Sequence, residues 1–425
     1  MQAIAAFRDS TAPRFVAAPP PRTPAAGEVL CRTLELGVCG TDREILHSAR
    51  PWTPEGCDHL ILGHECLARI EALGPGVTEF AVGDLVVPQV RRALPGAHPG
   101  ATPPGATAVS AVPELALPLN SPAARVISSG AREGEPPTST ADTAVAPRTA
   151  GINPAAGGDN HVRVDMLAFG QFIERGIVFA HGFSAPLWLD EPRYLYPVKP
   201  ELRPFAVLTE PLAVAEKGVH EALLLQRARL GDGYWSDPPP RVLVTGLGPI
   251  GFAAALACLR RGWPVALYGR DDAESGRARL ARAFGARYLS RESDLSPADA
   301  EADGFDLLLE CTGSEEVLLP ASHAVAARGV LVWLGSTRVP RPRPSNVAQM
   351  IRDGLLRNHL HVGSVNAAPR DFLAALADLD ALRQSHPREL AALITARVSP
   401  AEALWHYEHR AKDGIKTVVE LEGNL

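Results

Sequence analysis

The run Thr245-Gly246-Leu247-Gly248-Pro249-Ile250-Gly251 follows the apolar residues 242–244 and opens a helical stretch through Leu259; no other feature constrains the fold as much. Between a strand and a helix, glycines at this spacing make a tight turn and let a dinucleotide's pyrophosphate reach the helix N-terminus. Alone, a glycine pattern of this kind is weak, so its setting decides. Apolar runs at 241–245, 265–268, 305–310, 330–335 and 359–363 alternate with helical stretches such as 315–327. That alternation predicts an α/β fold with a parallel, doubly wound sheet. Ahead of it, Leu208, Leu212, Ala215, Val219, Ala222 and Leu223 fall on one helical stripe within 205–230. The tail from about Ala367 contains helices and ends in a strand-like 416–421.

Residues 28–87 read differently, as short apolar runs at 29–36, 66–70 and 85–87 punctuated by Gly and Pro. This predicts a β-rich, barrel-like unit. Two motifs lie inside it, Gly37-Val38-Cys39-Gly40-Thr41-Asp42 and, 21 residues on, Gly63-His64-Glu65. A thiolate, an imidazole and a carboxylate are the ligand types that hold a catalytic zinc while leaving one position open. Singly, a cysteine is usually a small buried hydrophobe and a histidine a satisfied core residue. On a chain that also carries a dinucleotide loop, the three together read as the metal centre of a dehydrogenase. The Thr41 hydroxyl then stands where it can carry away the proton of the alcohol. His47, His59 and His181 read as ordinary surface or packing histidines, Cys57 and Cys66 as structural, and Cys311 as a small residue ending a central strand beside the nicotinamide.

A chain of 425 residues is long for one core, which predicts two domains. A net charge of -6 leaves no basic stripe, so no nucleic-acid partner is expected. With no run of 18 apolar residues and no secretory signal at 1–10, neither a membrane partner nor export is expected. Six scattered cysteines suit a reducing compartment, and the expected location is cytoplasmic. Residues 93–160 stand apart: Ala, Pro and Gly make up 35 of 68, and Cys, Phe, Tyr and Trp are absent. Such a segment cannot bury enough apolar area to offset its ordering entropy, which predicts a poorly ordered insertion.

In GVCGTDREI (37–45), GCDHLILGHE (56–65), ERGI with a following HGF (174–183), LTEPLAVAEKGV (208–219), GLGPIG (246–251), GSVNA (363–367) and IKTVVELE (415–422), the chain resembles the zinc-dependent medium-chain alcohol dehydrogenases, in their glucose 1-dehydrogenase branch. The resemblance implies a GroES-like β-barrel catalytic domain over 1–204, a Rossmann domain over 205–366 and a segment 367–425 that returns to the catalytic domain. It implies one catalytic zinc on Cys39 and His64, with Glu65 and Glu210 as nearby carboxylates that ligate directly or through water. Catalytic roles then fall to Cys39, Thr41, His64 and Glu65, and sugar hydroxyls to Thr41, Glu174, Glu210, Asn366 and the position of Gln89, where another side chain is expected. NADP or NAD is expected on Gly246, Gly248, Pro249, Ile250, Gly251, Arg270, Thr312, Ser364 and Asn366. The implied reaction moves hydride from an aldose hydroxyl to the nicotinamide and gives the lactone, in a homo-oligomer. Another polyol, a cyclitol or an amino alcohol is the alternative substrate, and a non-catalytic dinucleotide-binding relative is the alternative of another class.

Two features need separate weighing. The superfamily's second, structural zinc takes four cysteines in one loop, whereas residues 93–166 hold none and Leu167 stands where the last belongs, so that site cannot form. Cofactor choice is read where 265–268 runs into Gly269-Arg270-Asp271-Asp272. A carboxylate there grips a ribose 2′-hydroxyl, and a guanidinium grips a 2′-phosphate. Arg270 comes first, after a glycine that leaves room, which favours NADP with dual use of NAD.

Overall fold

The computed structural model describes residues 1–48, 51–97, 163–290, 304–336 and 347–422. Strands β1 (Gln2–Phe7) and β2 (Arg14–Ala17) pair antiparallel ahead of the long β3 (Val29–Val38), whose last six residues are all buried. Helix α1 (Gly40–Ser48) follows at once. Strand β4 (His59–Ile61) pairs with β1, β5 (Glu65–Leu73) with β3, and β6 (Leu85–Pro88) with β5. Strands β7 (Arg91–Ala93), β8 (Phe172–Arg175) and β9 (Phe179–Ala180) make a small separate sheet. Then β10 (Leu187–Asp190) returns to β3, and β11 (Leu195–Val198) to β6.

Helix α2 (Thr209–Leu230) leads into β12 (Val242–Thr245), α3 (Pro249–Arg260), β13 (Val265–Gly269), α4 (Gly276–Ala283) and β14 (Arg287–Ser290). The second half runs β15 (Phe305–Glu310), α5 (Glu315–His323), β16 (Val325–Trp333), α6 (Val347–Arg357) and β17 (Leu360–Gly363). All six strands are parallel, in the order β14-β13-β12-β15-β16-β17. Every residue of β12 is buried, because helices cover both faces of a parallel sheet and make its strands continuously apolar. Strand order reverses direction at β12 and β15, so a crevice opens beyond their C-terminal ends.

The tail adds α7 (Pro369–Ser385), α8 (Pro387–Ala392), β18 (Ile394–Val398), α9 (Pro400–Glu408) and β19 (Lys416–Glu420). Strand β19 pairs antiparallel with β3, giving the order β11-β6-β5-β3-β19-β18. One hydrophobic core runs through both halves, from Leu34, Leu67 and Tyr196 to Val244, Phe252 and Phe372. Tyr196 and Phe372 stack at 4.8 Å across the junction.

The structure differs from the sequence reading in three places. The helix expected over 315–327 ends at His323, since Val325 already pairs with Phe305. The Ala-rich text there reads as helix, yet Arg328 at φ 65° and the register shift in the β15–β16 pair mark a bulged strand. The stripe expected over 205–230 begins as a 3-10 turn at Pro200–Leu208, with Pro204 inside it, and becomes α-helical only at Thr209. The insertion expected over 93–160 does not start at 93: Ala93 ends β7, and Leu94 N–H donates to Gln171 O at 2.9 Å. The rest of that segment, from 98, lies outside the described residues. Among the described residues no helix is long and apolar enough to cross a membrane, and all six cysteines are free thiols.

Between α2, α3 and α7 lies a charge cluster in which Arg261 holds Glu216 at 2.9 and 2.6 Å and His220 Nδ1 meets Asp371 Oδ1 at 2.6 Å. Arg260 Nε approaches Asp378 Oδ1 at 3.5 Å. Burial first, then Glu216 beside it, pushes the Asp378 carboxyl up to about 7, against the pull of Arg261 and Arg260. An unfolded aspartate titrates near ~3.9, so the folded chain keeps a proton that the unfolded chain has lost. The resulting stabilisation is complete below that value and is lost as pH rises through 7. Asp378→Asn is therefore expected to be more stable than the parent at pH 8 by about 1–2 kcal/mol and to show a flatter Tm between pH 5 and 8. Equal pH slopes for variant and parent in a thermal melt series would remove this assignment.

Candidate active site and metal centre

Cys39 sits in the one-residue gap between β3 and α1, where Asp42 fixes it: the Cys39 N–H donates to Asp42 Oδ2 at 2.9 Å. Asp42 is fully buried, and its other oxygen lies 3.4 Å from Nδ1 of the buried His64. Glu65 opens β5 directly opposite Gly37 on β3, and a Cβ at Gly37 would lie 2.0 Å from the Glu65 carboxylate. Only glycine leaves that space. Lys416, at the start of β19 and 1% exposed, donates to both Glu65 oxygens, 2.6 Å from Oε1, and lies 3.4 Å from Val38 O. The ligand atoms of Cys39, His64 and Glu65 all lie within 4.8 Å of one another.

This donor set fits zinc. It supplies sulfur, nitrogen and oxygen, and Nδ1 faces Asp42, which leaves Nε2 for an ion. Neither His64 Nδ1 nor Asp42 Oδ1 makes a hydrogen bond among the described residues, as expected of a pair whose partnership tightens when an ion polarises the ring. Burial opposes charge on His64, but the Asp42 carboxylate and Cys39 outweigh it and raise its pKa well above the histidine norm. Metal binding at this site would release that proton. Glu210, in the first turn of α2, is 8% exposed and faces the same group of charges. Burial, aided by Glu65 and Glu174 and opposed by His64 and Lys416, pushes its carboxyl up to about 7. Thr41 lies half-buried in the first turn of α1.

The residues expected at the sugar fall into two groups. Glu174 and Asn366 are brought together, Asn366 Nδ2 donating to Glu174 Oε1 at 2.8 Å, and Asn366 holds a positive φ of 63° with its Oδ1 accepting from Ala367 N–H. Arg91 donates to the same Glu174 oxygen at 2.9 Å and lies 3.8 Å from the Phe172 ring centre. Gln89 does not belong with them as a free contact. It is 1% exposed, its Oε1 accepts from Tyr196 OH at 2.7 Å and its Nε2 donates to Arg91 O, so both ends of the amide are used in the interior.

Of the residues expected at a dinucleotide, Gly246, Gly248, Arg270 and Thr312 line a cleft of about 490 Å³ at the C-terminal ends of β12 and β13, and Pro249, Ile250, Gly251, Ser364 and Asn366 are not on its wall. Pro249 starts α3, where its missing N–H costs nothing, and Ile250 follows. A Cβ at Gly251 would fall 1.8 Å from Gly246 O, so this glycine lets the helix close on the turn. The buried Glu310 carboxylate accepts from Thr245 Oγ1 at 3.0 Å, from Thr312 N–H at 2.8 Å and from Gly313 N–H at 3.0 Å, fixing the strand end beside the loop. Ser364, just past β17, has a buried hydroxyl without a hydrogen-bond partner among the described residues. His181 accepts Ile61 N–H at 3.2 Å and lies 3.7 Å from Cys57 Sγ, and burial lowers it to about 4.

Residues 203–421 match the family described as Glucose dehydrogenase C-terminus, and residues 25–106 the Alcohol dehydrogenase GroES-like domain. The glucose 1-dehydrogenase of Thermoproteus tenax is 32% identical over 403 residues, covering 95% of this chain and 94% of its own. The chain belongs to the glucose dehydrogenase family. A further member, from Methanocella arvoryzae, is 30% identical over 94% of this chain and 93% of its own. The solved Haloferax mediterranei glucose dehydrogenase, in complex with NADP, Zn and gluconolactone, superposes with a TM-score of 0.72 at 25% identity, over 99% of each chain. The GroES-like unit and the six-stranded Rossmann sheet are thus the two parts of a glucose dehydrogenase fold.

Reading the sequence assigned no role to Asp42, Lys416 or Arg91. Asp42 stands inside the quoted metal motif, three residues past Cys39 at the N-terminus of a helix, and this spacing marks a residue that orients rather than ligates. No local signal could have found Lys416, which meets Glu65 across 351 residues. Asp42→Ala is expected to weaken zinc binding by roughly 10–100-fold in chelator competition, since it removes the carboxylate facing His64. Unchanged zinc affinity in that variant would make Asp42 a helix cap alone.

Proposed function

We propose that this chain is a zinc- and NADP-dependent dehydrogenase that oxidises the anomeric hydroxyl of a glucose-like aldose to the lactone. The observation that carries the reading is the convergence of Cys39, His64 and Glu65 within 4.8 Å, on a chain that also holds the Glu174–Asn366 pair and the cleft at the glycine loop. It is supported by relatives named glucose 1-dehydrogenase and by the Haloferax mediterranei enzyme, whose structure contains NADP, Zn and gluconolactone. On this reading Cys39, His64 and Glu65 hold the zinc, and Glu210 faces it from α2. Bound there, zinc supplies the Lewis acidity that lowers the pKa of the sugar hydroxyl, and NADP supplies the hydride acceptor.

The chain's own residues do the rest. Thr41 accepts the hydroxyl proton from the helix turn that follows Cys39 and passes it outward. Glu174 accepts from a sugar hydroxyl and Asn366 donates to one, the two held by their mutual bond and Glu174 also by Arg91. The glycine loop and the first turn of α3 receive the diphosphate, which fixes the nicotinamide end against the metal side. We assign residues 1–204 to the catalytic domain, 205–366 to the nucleotide-binding domain and 367–425 to the returning segment, a division supported by the β19–β3 pairing. A homo-oligomer is supported by α6, where Ile351, Leu355 and Leu356 are 62, 76 and 63% exposed just before the edge strand β17.

The test is zinc content together with turnover across aldoses, polyols, cyclitols and amino alcohols with NADP. One zinc per chain and fastest lactone formation from a glucose-like sugar are expected. Cys39→Ala is expected to lose the metal and at least about 10³-fold in kcat. Two tightly held zinc ions per chain, or normal turnover in Cys39→Ala, would overturn the assignment. Leu355→Asp is expected to shift the assembly to a smaller species in light scattering, while an unchanged mass would place the interface elsewhere.

A further inference from the structure

The turn after β13 carries an acid where a carboxylate would grip a ribose 2′-hydroxyl and repel a 2′-phosphate. In the structure that acid, Asp271, lies on the cleft wall but is paired with Arg277, which lines the same wall. Arg277, in the first turn of α4, donates from Nη2 to Asp271 Oδ1 at 2.9 Å and brings Nε within 2.6 Å of Oδ2. The two side chains are only 14% and 11% exposed, so solvent screens the pair weakly. The Asp271 backbone is fixed independently, its carbonyl accepting from Tyr288 OH at 2.6 Å and Ser290 Oγ at 3.3 Å on β14. Asp272 is also occupied, its Oδ1 accepting Glu274 N–H at 2.7 Å within the turn. Arg270 is exposed at this end of the cleft, and the exposed Arg410 and Lys412 line the wall beyond it, with Glu316 on the same wall. Burial first, then the nearby Arg277, Arg43 and Arg270, lowers the Arg410 pKa against the pull of Asp271.

We infer that Arg277 is a positioning residue for cofactor choice: by clamping the Asp271 carboxylate it turns an acidic, NAD-type turn into one that accepts a 2′-phosphate on Arg270. The inference rests on the NADP reading above and names the residue through which the chain achieves it. Without Arg277, Asp271 would place a full negative charge beside Arg270, and preference would move toward NAD.

The experiment measures dissociation constants on the zinc-loaded enzyme by calorimetry for NADPH, NADH, adenosine 2′,5′-bisphosphate and ADP. The proteins are the parent, Arg277→Gln, Asp271→Asn and the double variant. Arg277→Gln is expected to weaken NADPH and adenosine 2′,5′-bisphosphate by about tenfold or more, to leave ADP within about twofold and to tighten NADH. Asp271→Asn in the Arg277→Gln background is expected to restore 2′-phosphate binding to within about threefold of the parent, because the charge that Arg277 restrained is gone. A double variant as weak as Arg277→Gln alone would overturn the inference and make Arg277 a direct phosphate ligand. Equal losses for ADP and the bisphosphate would overturn it as well, pointing to a misplaced α4. The NADP reading is judged separately, by the parent's NADPH to NADH ratio. A parent that prefers NADH refutes that reading, while release of Asp271 by Arg277→Gln is still scored by the fall in bisphosphate affinity.

Discussion

A buried ion pair ties the metal side of the molecule together. Glu65 reaches across to Gly37, whose missing Cβ leaves room for its carboxylate, and there meets Lys416 from the other end of the chain. Two charges out of water stabilise a fold little in net terms, but removing one partner costs about 3–5 kcal/mol because the other is left buried alone. The pair therefore acts on arrangement more than on stability. It holds Glu65 beside Cys39 and His64, and it requires β19 to lie against β3 in a single register, Val418 opposite Gly37. A strand slip by one residue would turn Lys416 to the other face and leave Glu65 without its cation.

The same returning segment also reaches the nucleotide cleft. Arg410, six residues before Lys416, brings its guanidinium 3.4 Å from where a Gly248 Cβ would stand, at the glycine that lets the backbone approach a pyrophosphate. One stretch of chain thus contributes to the metal site and to the dinucleotide site. The hydrophobic core shared by the two halves, with Ile415 and Val418 among its members, keeps that stretch in place.

What could be read in the sequence follows from how local each signal is. The glycine loop, the strand β15 at Phe305–Glu310 and the candidate ligands Cys39 and His64 all sit in short patterns whose physical meaning is carried by neighbours within a few residues. Strand β16 is legible in the sequence over 330–333, but its start is not, because Val325-Ala326-Ala327 has helical composition and becomes strand only through pairing with β15. Lys416 and Arg91 were invisible for the same reason: their partners, Glu65 and Glu174, lie 351 and 83 residues away. Gln89 was placed at the sugar by its position, and only the structure reveals Tyr196 competing for its amide. Asp271 illustrates the converse, a residue whose type suggests one cofactor while its partner on α4 cancels the charge.

The segment that begins at Arg163 is held by charge. Lys217 donates to Asp165 O at 3.0 Å and to Val365 O at 2.7 Å, and both Lys217 and Asp165 are almost fully buried. Arg163 bonds Asp165 at 2.8 Å and Glu221 at 2.6 Å, and Arg370 meets the same Glu221 at 3.1 Å. Although burial works against its charge, Arg163 and Lys217 hold the Asp165 carboxyl below the usual range. Val365 is next to Asn366, and Asp165 O also accepts from Arg91, so this network braces both partners of Glu174. Loop-closure entropy grows only logarithmically with length. A chain anchored this firmly on both sides, at Ala93 in β7 and at Asp165, can carry many residues between them while the positions of Glu174 and Asn366 are set by α2 and its ion pairs.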